Sequence, residues 1–277
     1  MIELFSKDRI DARLQSSKGN QLKFQLNSFW YKADYLGYEG LAEFVISRLL
    51  ALSDLEESEF VHYDLEQIRY RSNVYPGCRS LDFLDGWQLI TLERLFQQHY
   101  GHGVNQIWLA EENHQCRLQL LVEYTERVTG LKDFGLYMSK MLTIDTFFLN
   151  EDRHAHNIAI MTNQHREYRL APFFDHGAGL LSDTTMDYPL NEDPLHLIPL
   201  AKPKTFCNDF DEQIDIAESL YGQHLRFSFS YEDIKRVLDQ AESYSPEIRS
   251  RVMDILLQRR RKYHYLFTSA TSFTSSR

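Results

Sequence analysis

A polar loop set between a long apolar helix and a strand hairpin limits the fold of this chain more than any other feature. Upstream of the loop, KDFGLYMSKMLTIDTFFLN repeats apolar residues at helical spacing, which predicts a buried helix. Downstream, the runs 156–161 and 168–174 flank the polar turn TNQHRE, which predicts a hairpin. The loop 150–157 is therefore held between two ordered elements. The core-facing stripe of the helix consists of Phe134, Met138, Met141, Leu142, Phe148 and Leu149.

The two halves of the sequence differ in their periodicity. The first half alternates short β-like runs with turn signals, whereas helical periodicity dominates the second half. Strands in one part of a chain and helices in the other are typical of an α+β architecture. We therefore expect one α+β domain in which a smaller strand-rich lobe is followed by a mainly helical lobe.

Turn and capping signals mark the individual elements. Residues 22–26 and 29–32 are predicted to form two strands joined by an Asn-Ser turn, and LAEFVISRLLALS behind them has helical spacing. We expect this helix to pack on the hairpin. Three C-terminal helices are predicted to begin after Asn208, Ser230 and Ser245, because Asn and Ser are preferred as N-caps.

The composition disfavours several classes of protein. With 43% hydrophobic and 25% charged residues, the 277-residue chain is in the globular range, and a net charge of −10 disfavours a broad nucleic-acid-binding face. No window approaches the roughly 18 apolar residues of a membrane span, and the first ten residues lack the apolar core of a signal peptide. Three scattered cysteines indicate neither a disulfide framework nor a zinc site. We expect a cytoplasmic protein without direct nucleic-acid binding or membrane insertion.

The polar loop carries the spacing of a phosphotransfer centre. Asp152 and Asn157 stand in the pattern D-x-x-x-x-N of the protein-kinase catalytic loop, in which the Asp accepts the substrate proton and the Asn binds metal. After the predicted hairpin comes Asp175 in a D-H-G tripeptide, which parallels the metal-binding D-F-G. A structural alternative stays open: Asp152 pairs with Arg153, and Asp175 is a turn residue before Gly177.

Residues nearer the N-terminus extend the pattern towards a nucleotide. Lys32 ends an aromatic strand and Glu43 lies on the next helix, the arrangement in which kinases hold a phosphate-binding Lys by an ion pair. Glu39 is an alternative partner that stands before the helix, and an exposed Lys at a strand end is the structural alternative. The segment QSSKGNQLK places a Gly at a turn, where backbone N–H groups can cover phosphates.

Two histidines lie in the polar loop. An i, i+2 pair such as His154 and His156, without a third His or Cys at suitable spacing, does not indicate zinc. We expect His154 to support the catalytic loop by hydrogen bonding. His156 is expected to begin the following strand.

The motifs NEDRHAHN, APFFDHG and GNQLK resemble those of the HipA-like serine/threonine kinases, a branch of the protein-kinase and phosphoinositide-kinase superfamily. The stretch AKPKTFCNDFDEQIDIAE is similar to their shorter, single-domain CtkA-like type. The resemblance covers residues 17–181 and implies a bilobal protein-kinase-like fold that binds ATP and Mg²⁺. It implies that Asp152 is the catalytic carboxylate, that Asn157 and Asp175 hold Mg²⁺, and that Lys32 binds the ATP phosphates.

The same resemblance assigns the other nucleotide contacts. LITLERL is similar to the family's hinge, so Glu93 and Leu95 would offer backbone groups to adenine. The resemblance thus implies an N-lobe at about 1–92, a hinge at about 93–96 and a C-lobe at about 97–277. Family members autophosphorylate a serine in or near the phosphate loop, which makes Ser16 and Ser17 candidates; ordinary turn serines are the alternative. The implied phosphate loop consists of Ser17, Lys18, Gly19, Asn20 and Gln21.

We therefore expect an ATP-dependent serine/threonine kinase that phosphorylates a protein. A role as a toxin or effector and an antitoxin partner are further expectations, and an effector would enter a host cell. The segment 182–206, which carries four prolines and stands at the activation-loop position, is expected to shape acceptor access. Two alternatives stay open. One is a phosphoinositide or small-molecule kinase, for which RRRK at 259–262 would be a local basic site. The other is a nucleotide-binding pseudokinase or a regulatory partner in a toxin–antitoxin system.

Overall fold

The strands and helices of this chain separate into two lobes. The computed structural model describes residues 1–10 and 21–267. The N-lobe is a five-stranded sheet with one helix against it, and the C-lobe consists of helices and a small three-stranded sheet. The bilobal α+β organisation predicted from the two halves of the sequence is confirmed.

The N-lobe sheet has the strand order β1-β4-β5-β3-β2, and its neighbouring strands are antiparallel except for the parallel pair β1 and β4. The two-residue turn between β2 and β3 is the predicted one, since Asn27 and Ser28 have the positive φ angles, 50° and 66°, that a type I′ turn requires. The register places Lys23 opposite Lys32, so both side chains point to the same face of the sheet. The strands are β1 (Ile2–Leu4), β2 (Lys23–Leu26), β3 (Phe29–Ala33), β4 (Asp64–Tyr70) and β5 (Asn73–Leu81).

The helix α1 (Glu39–Leu50) packs on this sheet and is buried on nearly all sides. Its apolar residues, such as Leu41 and Phe44, belong to a hydrophobic core that continues into the C-lobe. Because core surrounds the helix, Glu43 at its middle is only 1% exposed. A carboxylate at that depth needs a cationic or hydrogen-bonding partner.

The C-lobe is built around α5 (Phe134–Phe148), which is the helix predicted before the polar loop. All six residues of its predicted stripe are buried, which confirms that stripe. Helices from before and after it in the chain pack around α5. The other C-lobe elements are β6 (Gln88–Thr91), α2 (Leu92–Tyr100), α3 (Val104–Ala110), α4 (His114–Thr129), β7 (Ala159–Thr162), β8 (Tyr168–Leu170), α6 (Pro194–Leu197), α7 (Phe210–Tyr221), α8 (Tyr231–Asp239) and α9 (Pro246–Lys262).

The small sheet has the order β6-β7-β8, with antiparallel pairs. Strands β7 and β8 form the hairpin predicted after the polar loop. The first of them begins at Ala159 rather than at His156, because residues 155–157 form a turn. Strand β6 is an outer strand of this sheet, and the chain turns directly from it into α2.

The capping predictions hold for two of the three C-terminal helices. The side chains of Ser230 and Ser245 accept backbone hydrogen bonds at the starts of α8 and α9. Helix α7 begins one residue later than predicted, because the side chain of Asp209, and not that of Asn208, accepts bonds from two N–H groups of the first turn.

The helices of residues 1–10 and 21–267 include none that is long and apolar enough to cross a membrane. Helix α9, for example, has 17 residues and ends in four basic ones.

Candidate functional site

The polar loop is fixed by hydrogen bonds between its own residues. Helix α5 ends at Leu149, whose left-handed backbone (φ 57°) turns the chain, and the Asn150 amide donates to Asp145 on the helix (2.6 Å). The Asn157 Nδ2 donates both to the Asp152 main-chain oxygen (2.7 Å) and to its Oδ2 (2.9 Å). Asp152 and Asn157, predicted from spacing alone, are therefore in direct contact.

Arg153 makes the bonds that hold the loop to its surroundings. Its guanidinium is 1% exposed and donates to both oxygens of Asp145, at 2.8 and 3.1 Å. It also donates to the main-chain oxygens of Asn157 and Phe174 (3.1 Å each) and to the His176 Nδ1 (3.2 Å). The ion pair of Arg153 with Asp152, which was the structural alternative, is thus replaced in the structure by the ion pair of Arg153 with Asp145. Arg153 instead joins the D-x-x-x-x-N loop to the D-H-G segment.

Asp175 faces two lysines of the N-lobe sheet. Its Oδ1 accepts from Lys32 Nζ (2.7 Å), and its Oδ2 lies 3.8 Å from Lys23 Nζ. Burial alone would raise the pKa of Asp175, but Lys23, Lys32 and Arg153 outweigh burial and hold the pKa of this carboxyl well below its usual range. Asp175 is therefore ionised. Its backbone is left-handed, with φ 61°, so the turn that carries it is strained.

Lys32 is held by two carboxylates. Its Nζ makes a very short contact with Glu43 Oε1 in addition to its bond to Asp175. Burial lowers the pKa of Lys32, but Asp175 and Glu43 outweigh that effect and raise it well above its usual value, so the ammonium stays charged. The other oxygen of Glu43 accepts from the backbone N–H of His176 (2.8 Å). One carboxylate on α1 thus positions both the lysine and the D-H-G backbone.

The alternative partner, Glu39, has a different role. Its carboxylate accepts from the backbone N–H groups of Leu36 (2.7 Å) and Gly37 (3.1 Å) in the turn before α1. It is the first residue of the helix rather than a residue before it. The exposed-lysine alternative for Lys32 is also corrected, because Lys32 is only 8% exposed.

A cleft of about 350 Å³ opens beside these groups, between the two lobes. Lys23, Lys32 and Asp175 lie at one part of its wall, together with Asn157. The rest of the wall is mainly apolar and includes strand β6. The cleft therefore has a charged part and an apolar part, which is the arrangement a nucleoside triphosphate requires. The apolar and aromatic wall residues are Trp30, Phe83, Leu84, Leu89, Ala159 and Phe174.

The structure corrects the predicted hinge. Glu93 and Leu95 lie inside α2, which begins at Leu92 because Thr91 accepts a capping bond from a first-turn N–H (3.2 Å). Neither residue lines the cleft: Leu95 is fully buried, and the Glu93 carboxylate lies against Gly103. The residues that do line the cleft here belong to β6: Gln88, Leu89 and Thr91.

A small cavity continues from the cleft on the other side of Asp175. Asp152, Asn157 and Asp175 all line it, and so does Gln21, the last residue of the predicted phosphate loop. The structure therefore brings these four predicted residues together. Glu151 and Asp183 also line this cavity.

The histidines of the loop are less involved than predicted. The His154 Nε2 lies 3.7 Å from Asp152 Oδ1, which exceeds hydrogen-bond distance, and its Nδ1 is buried without a partner among the described residues. Burial lowers the pKa of His154, so the ring is neutral at pH 7. Its main-chain oxygen does support the loop, by accepting from the Asn157 N–H (2.7 Å). His156 lines the cleft from the turn before β7.

The oxygen atoms of Asn157 and Asp175 fit the ligand preference of Mg²⁺. The Asn157 amide nitrogen donates to Asp152, so the metal ligand that this side chain would supply is its amide oxygen. An amide oxygen and an ionised carboxylate are hard ligands of the kind that Mg²⁺ takes together with phosphate oxygens. Within residues 1–10 and 21–267, no group of three or more His, Cys, Asp or Glu is placed to hold a metal.

Part of the predicted site falls outside the described residues. These positions are Ser16, Ser17, Lys18, Gly19 and Asn20, which include both candidate autophosphorylation sites.

The segment that follows D-H-G is bonded to the turn before α1. The Tyr38 N–H donates to the Ser182 oxygen (3.1 Å), and the Thr184 N–H donates to the Leu36 oxygen (3.1 Å). Gly37 lies between these bonds, and a Cβ on it would stand 2.0 Å from the Ser182 oxygen. Only glycine therefore allows this approach.

Two residues of the site were not singled out from the sequence. Lys23 is the last residue of GNQLK, and its position opposite Lys32 in the predicted hairpin was a signal that it faces the same cleft. Asp145 lies on the predicted helix α5, four residues before Leu149, and an acid inside an apolar stretch was a signal for a buried partner. That partner, Arg153, stood in the motif itself.

Comparison with known proteins adds one similarity in fold. No model of a protein family matches this chain, and none of the curated proteins matches it in sequence. A crystal structure of the Helicobacter pylori proinflammatory kinase CtkA is similar, with a TM-score of 0.62 and 17% sequence identity over 89% of this chain and 90% of that one. This chain has a kinase fold. The fold that the HipA-like resemblance implied is thereby confirmed.

A second solved structure is more distant from the kinase fold seen here. HipA of Shewanella oneidensis MR-1, in a toxin–antitoxin complex with HipB and operator DNA, has a TM-score of 0.48 and 11% identity over 90% of this chain. The match spans 63% of the HipA chain.

Proposed function

We propose that this protein is an ATP-dependent serine/threonine protein kinase of HipA-like type. The observation that carries the proposal is the bonded set around Lys32: Glu43 and Asp175 hold its ammonium at the cleft, and Asp152 and Asn157 lie beyond Asp175. Phosphoryl transfer needs positioned cations, metal ligands and a carboxylate for the acceptor hydroxyl. Each of these is present in one continuous site.

The residues of the cleft have separate roles in this proposal. Lys32 and Lys23 bind the phosphates of ATP, and the apolar wall receives the base. Strand β6 is an outer strand, so its main-chain groups are the candidates for hydrogen bonds to adenine. We assign this role to Leu89 and its neighbours in place of Glu93 and Leu95.

The acceptor side lies at the small cavity. Asp152 accepts the proton of the acceptor hydroxyl and orients its oxygen towards the γ-phosphate. Asn157 fixes the Asp152 carboxylate through its Nδ2. Asn157 and Asp175 would hold Mg²⁺, which neutralises charge on the phosphates when it is bound.

A toxin or effector role belongs to the same proposal. Its support is the similarity in fold to a kinase described as proinflammatory. An antitoxin partner and a cytoplasmic site of action are parts of this proposal that follow from the HipA-like motifs NEDRHAHN and APFFDHG.

The test measures phosphate transfer from radiolabelled ATP to the protein itself, to casein and to phosphatidylinositol vesicles. We expect labelled protein and unlabelled lipid, and we expect Asp152→Asn to lower the rate by about 10²–10⁴-fold, the contribution of a general base. Asp239→Asn, an exposed substitution on α8, is the matched control and should keep the rate. Equal transfer by Asp152→Asn would overturn the assignment, and labelled lipid would favour the phosphoinositide alternative.

A pseudokinase makes a different prediction. It would show a thermal shift with ATP and Mg²⁺ and no transfer to any acceptor. Lys32, Asp152, Asn157 and Asp175 are all present, which weighs against that outcome.

A further inference from the structure

A second cavity, of about 330 Å³, lies in the C-lobe between α3, the first turn of α4 and the segment 203–208. It is nearly as large as the cleft proposed for the nucleotide, but none of the described residues lines both. We call it the α4 cavity. The proposed phosphotransfer chemistry does not use it.

The α4 cavity is positive in an acidic protein. The chain has a net charge of −10, yet no Asp or Glu is among the described residues that line this cavity. Among those residues are the cations Arg117, on α4, and Lys204, on the segment 203–208. The neighbouring carboxylate of Glu212 is bound to His114 Nδ1 (2.7 Å) rather than to either cation. The described lining of the cavity therefore carries more positive than negative charge.

Arg117 is held in place without losing its charge. Its Nε donates to the main-chain oxygen of Glu111 (2.6 Å), and its Nη1 donates to that of Phe206 (3.0 Å). Both acceptors are neutral, and no carboxylate lies within ion-pair distance of Arg117 in the described parts of the chain. A guanidinium does not deprotonate in proteins, so its positive charge remains for a ligand. A guanidinium fixed in this way is suited to a phosphate or carboxylate.

Further polar residues line the cavity. Trp108 lines it too, but its indole nitrogen is buried from solvent and has no acceptor among the described residues. The amides of Asn105 and Asn208 also line the cavity. Its polar groups thus favour a ligand rich in acceptor oxygens.

The cavity is connected to the catalytic loop by a short segment. The Lys204 N–H donates to the Glu151 main-chain oxygen (3.2 Å), and the Lys202 N–H donates to its Oε1 (3.0 Å). Glu151 directly precedes Asp152. The wall of the cavity at Lys204 is therefore hydrogen-bonded to the residue that precedes the proposed catalytic carboxylate.

We propose that the α4 cavity binds the phosphate group of an already phosphorylated side chain on the protein acceptor. Two cations match the roughly −1.5 to −2 charge of a phosphorylated side chain better than the single charge of a carboxylate. Arg117 binds two phosphate oxygens through its planar fork, and Lys204 adds a second positive charge. That the bound phosphate belongs to a protein acceptor of this kinase rests on the proposed function. That the α4 cavity binds a phosphate group does not.

The test measures binding of fluorescein-labelled peptide pools by anisotropy, without ATP and in the Asp152→Asn background. Three pools share randomised flanks and differ at one position, which is phosphoserine, serine or aspartate. We expect the phosphoserine pool to bind at least about tenfold more tightly than the serine pool. Arg117→Gln should weaken that binding by about tenfold, and Lys204→Gln by about threefold. Lys235→Gln, an exposed substitution on α8, should not change it.

Several results would overturn the proposal. One is equal binding of the phosphoserine and serine pools; another is full binding by both cavity variants. Displacement of the phosphoserine pool by an equal concentration of inorganic phosphate would identify an adventitious ion only. Lys204 is exposed, so Lys204→Gln keeps the test valid if Arg117→Gln unfolds. Because no transfer is measured, failure of the kinase proposal would appear separately, as absence of labelling from ATP.

Discussion

The proposed catalytic centre and the α4 cavity hold charged side chains in opposite ways. In the centre, each cation has a carboxylate of this chain as its partner: Arg153 has Asp145, and Lys32 has Glu43. In the α4 cavity, the partners of Arg117 within residues 1–10 and 21–267 are two neutral carbonyl oxygens. The first arrangement is complete before any ligand arrives and fixes geometry. The second leaves the charge of Arg117 uncompensated. The kind of partner that a charged side chain has, and not the number of charged side chains, therefore distinguishes a structural ion pair from a binding site.

Asp145→Asn is the substitution that tests this comparison most directly, and it should have the largest effect on stability. Asp145 and Arg153 are both buried, so removal of the carboxylate leaves a buried guanidinium without a counter-charge. We expect the free energy of unfolding to fall by about 3–5 kcal/mol, measured by urea titration. Arg117→Gln should lower it by only about 1 kcal/mol, because only neutral hydrogen bonds are lost.

The double variant Asp145→Asn with Arg153→Met is the control for this interpretation. It removes both charges, so we expect it to be more stable than Asp145→Asn alone. If the double variant were the less stable of the two, the cost would come from lost packing, and the uncompensated charge would not be its cause.

A buried carboxyl with neutral partners gives the second prediction. Asp34 accepts from the Gly40 N–H and the Tyr244 hydroxyl (2.7 Å for the latter). Burial raises the pKa of Asp34 from 3.8 to about 7, with a smaller contribution from the charge of Glu39. Unlike Arg117, this group can become neutral by binding a proton, so it needs no ligand to remove its charge.

The sign of the resulting pH dependence follows from proton binding. Between about pH 4 and pH 7, the folded state binds a proton at Asp34 that the unfolded state releases, so the free energy of unfolding falls as the pH rises. We expect wild type to lose about 3 kcal/mol relative to Asp34→Asn between pH 4 and pH 8, measured by urea titration at each pH. Parallel pH profiles of the two proteins would contradict the raised pKa.

The third prediction sharpens the comparison within the catalytic centre. Glu43→Gln leaves Asp175 as the carboxylate partner of Lys32, while the amide oxygen of Gln still accepts from the His176 N–H. We expect kcat/KM for ATP to fall by about thirtyfold, or about 2 kcal/mol, because Lys32 is less firmly positioned. Asp239→Asn is the control, and kcat/KM is measured with a coupled assay for ADP. An unchanged kcat/KM would mean that Asp175 alone positions Lys32.

The sequence predicted the residues that lie close together in motifs. Asp152 and Asn157 are in contact because five residues of tight turn bring them together, and their spacing was visible. Glu43 could be preferred over Glu39 because helical periodicity placed it beside the apolar face of α1. The fold followed in the same way from the order of strands and helices.

The predictions from the sequence were wrong where one hydrophobic pattern fits both a strand and a helix. LITLERL continues an apolar run from strand into helix, and only the capping bond of Thr91 fixes the change at Leu92. The α4 cavity was not predicted, because its walls come from segments about 90 residues apart, near 117 and near 206. Local periodicity contains no information on such contacts.

The main-chain bonds between residues 36–38 and 182–184 couple the start of α1 to the segment that follows D-H-G. A partner that displaces residue 183 must also displace the first turn of α1, since the two backbones are in close contact at Gly37. The helix would carry Glu43 with it, one turn further along. A contact made on the outer surface of this segment would therefore be transmitted, as a tilt of one helix, to Lys32 at the cleft proposed for the nucleotide.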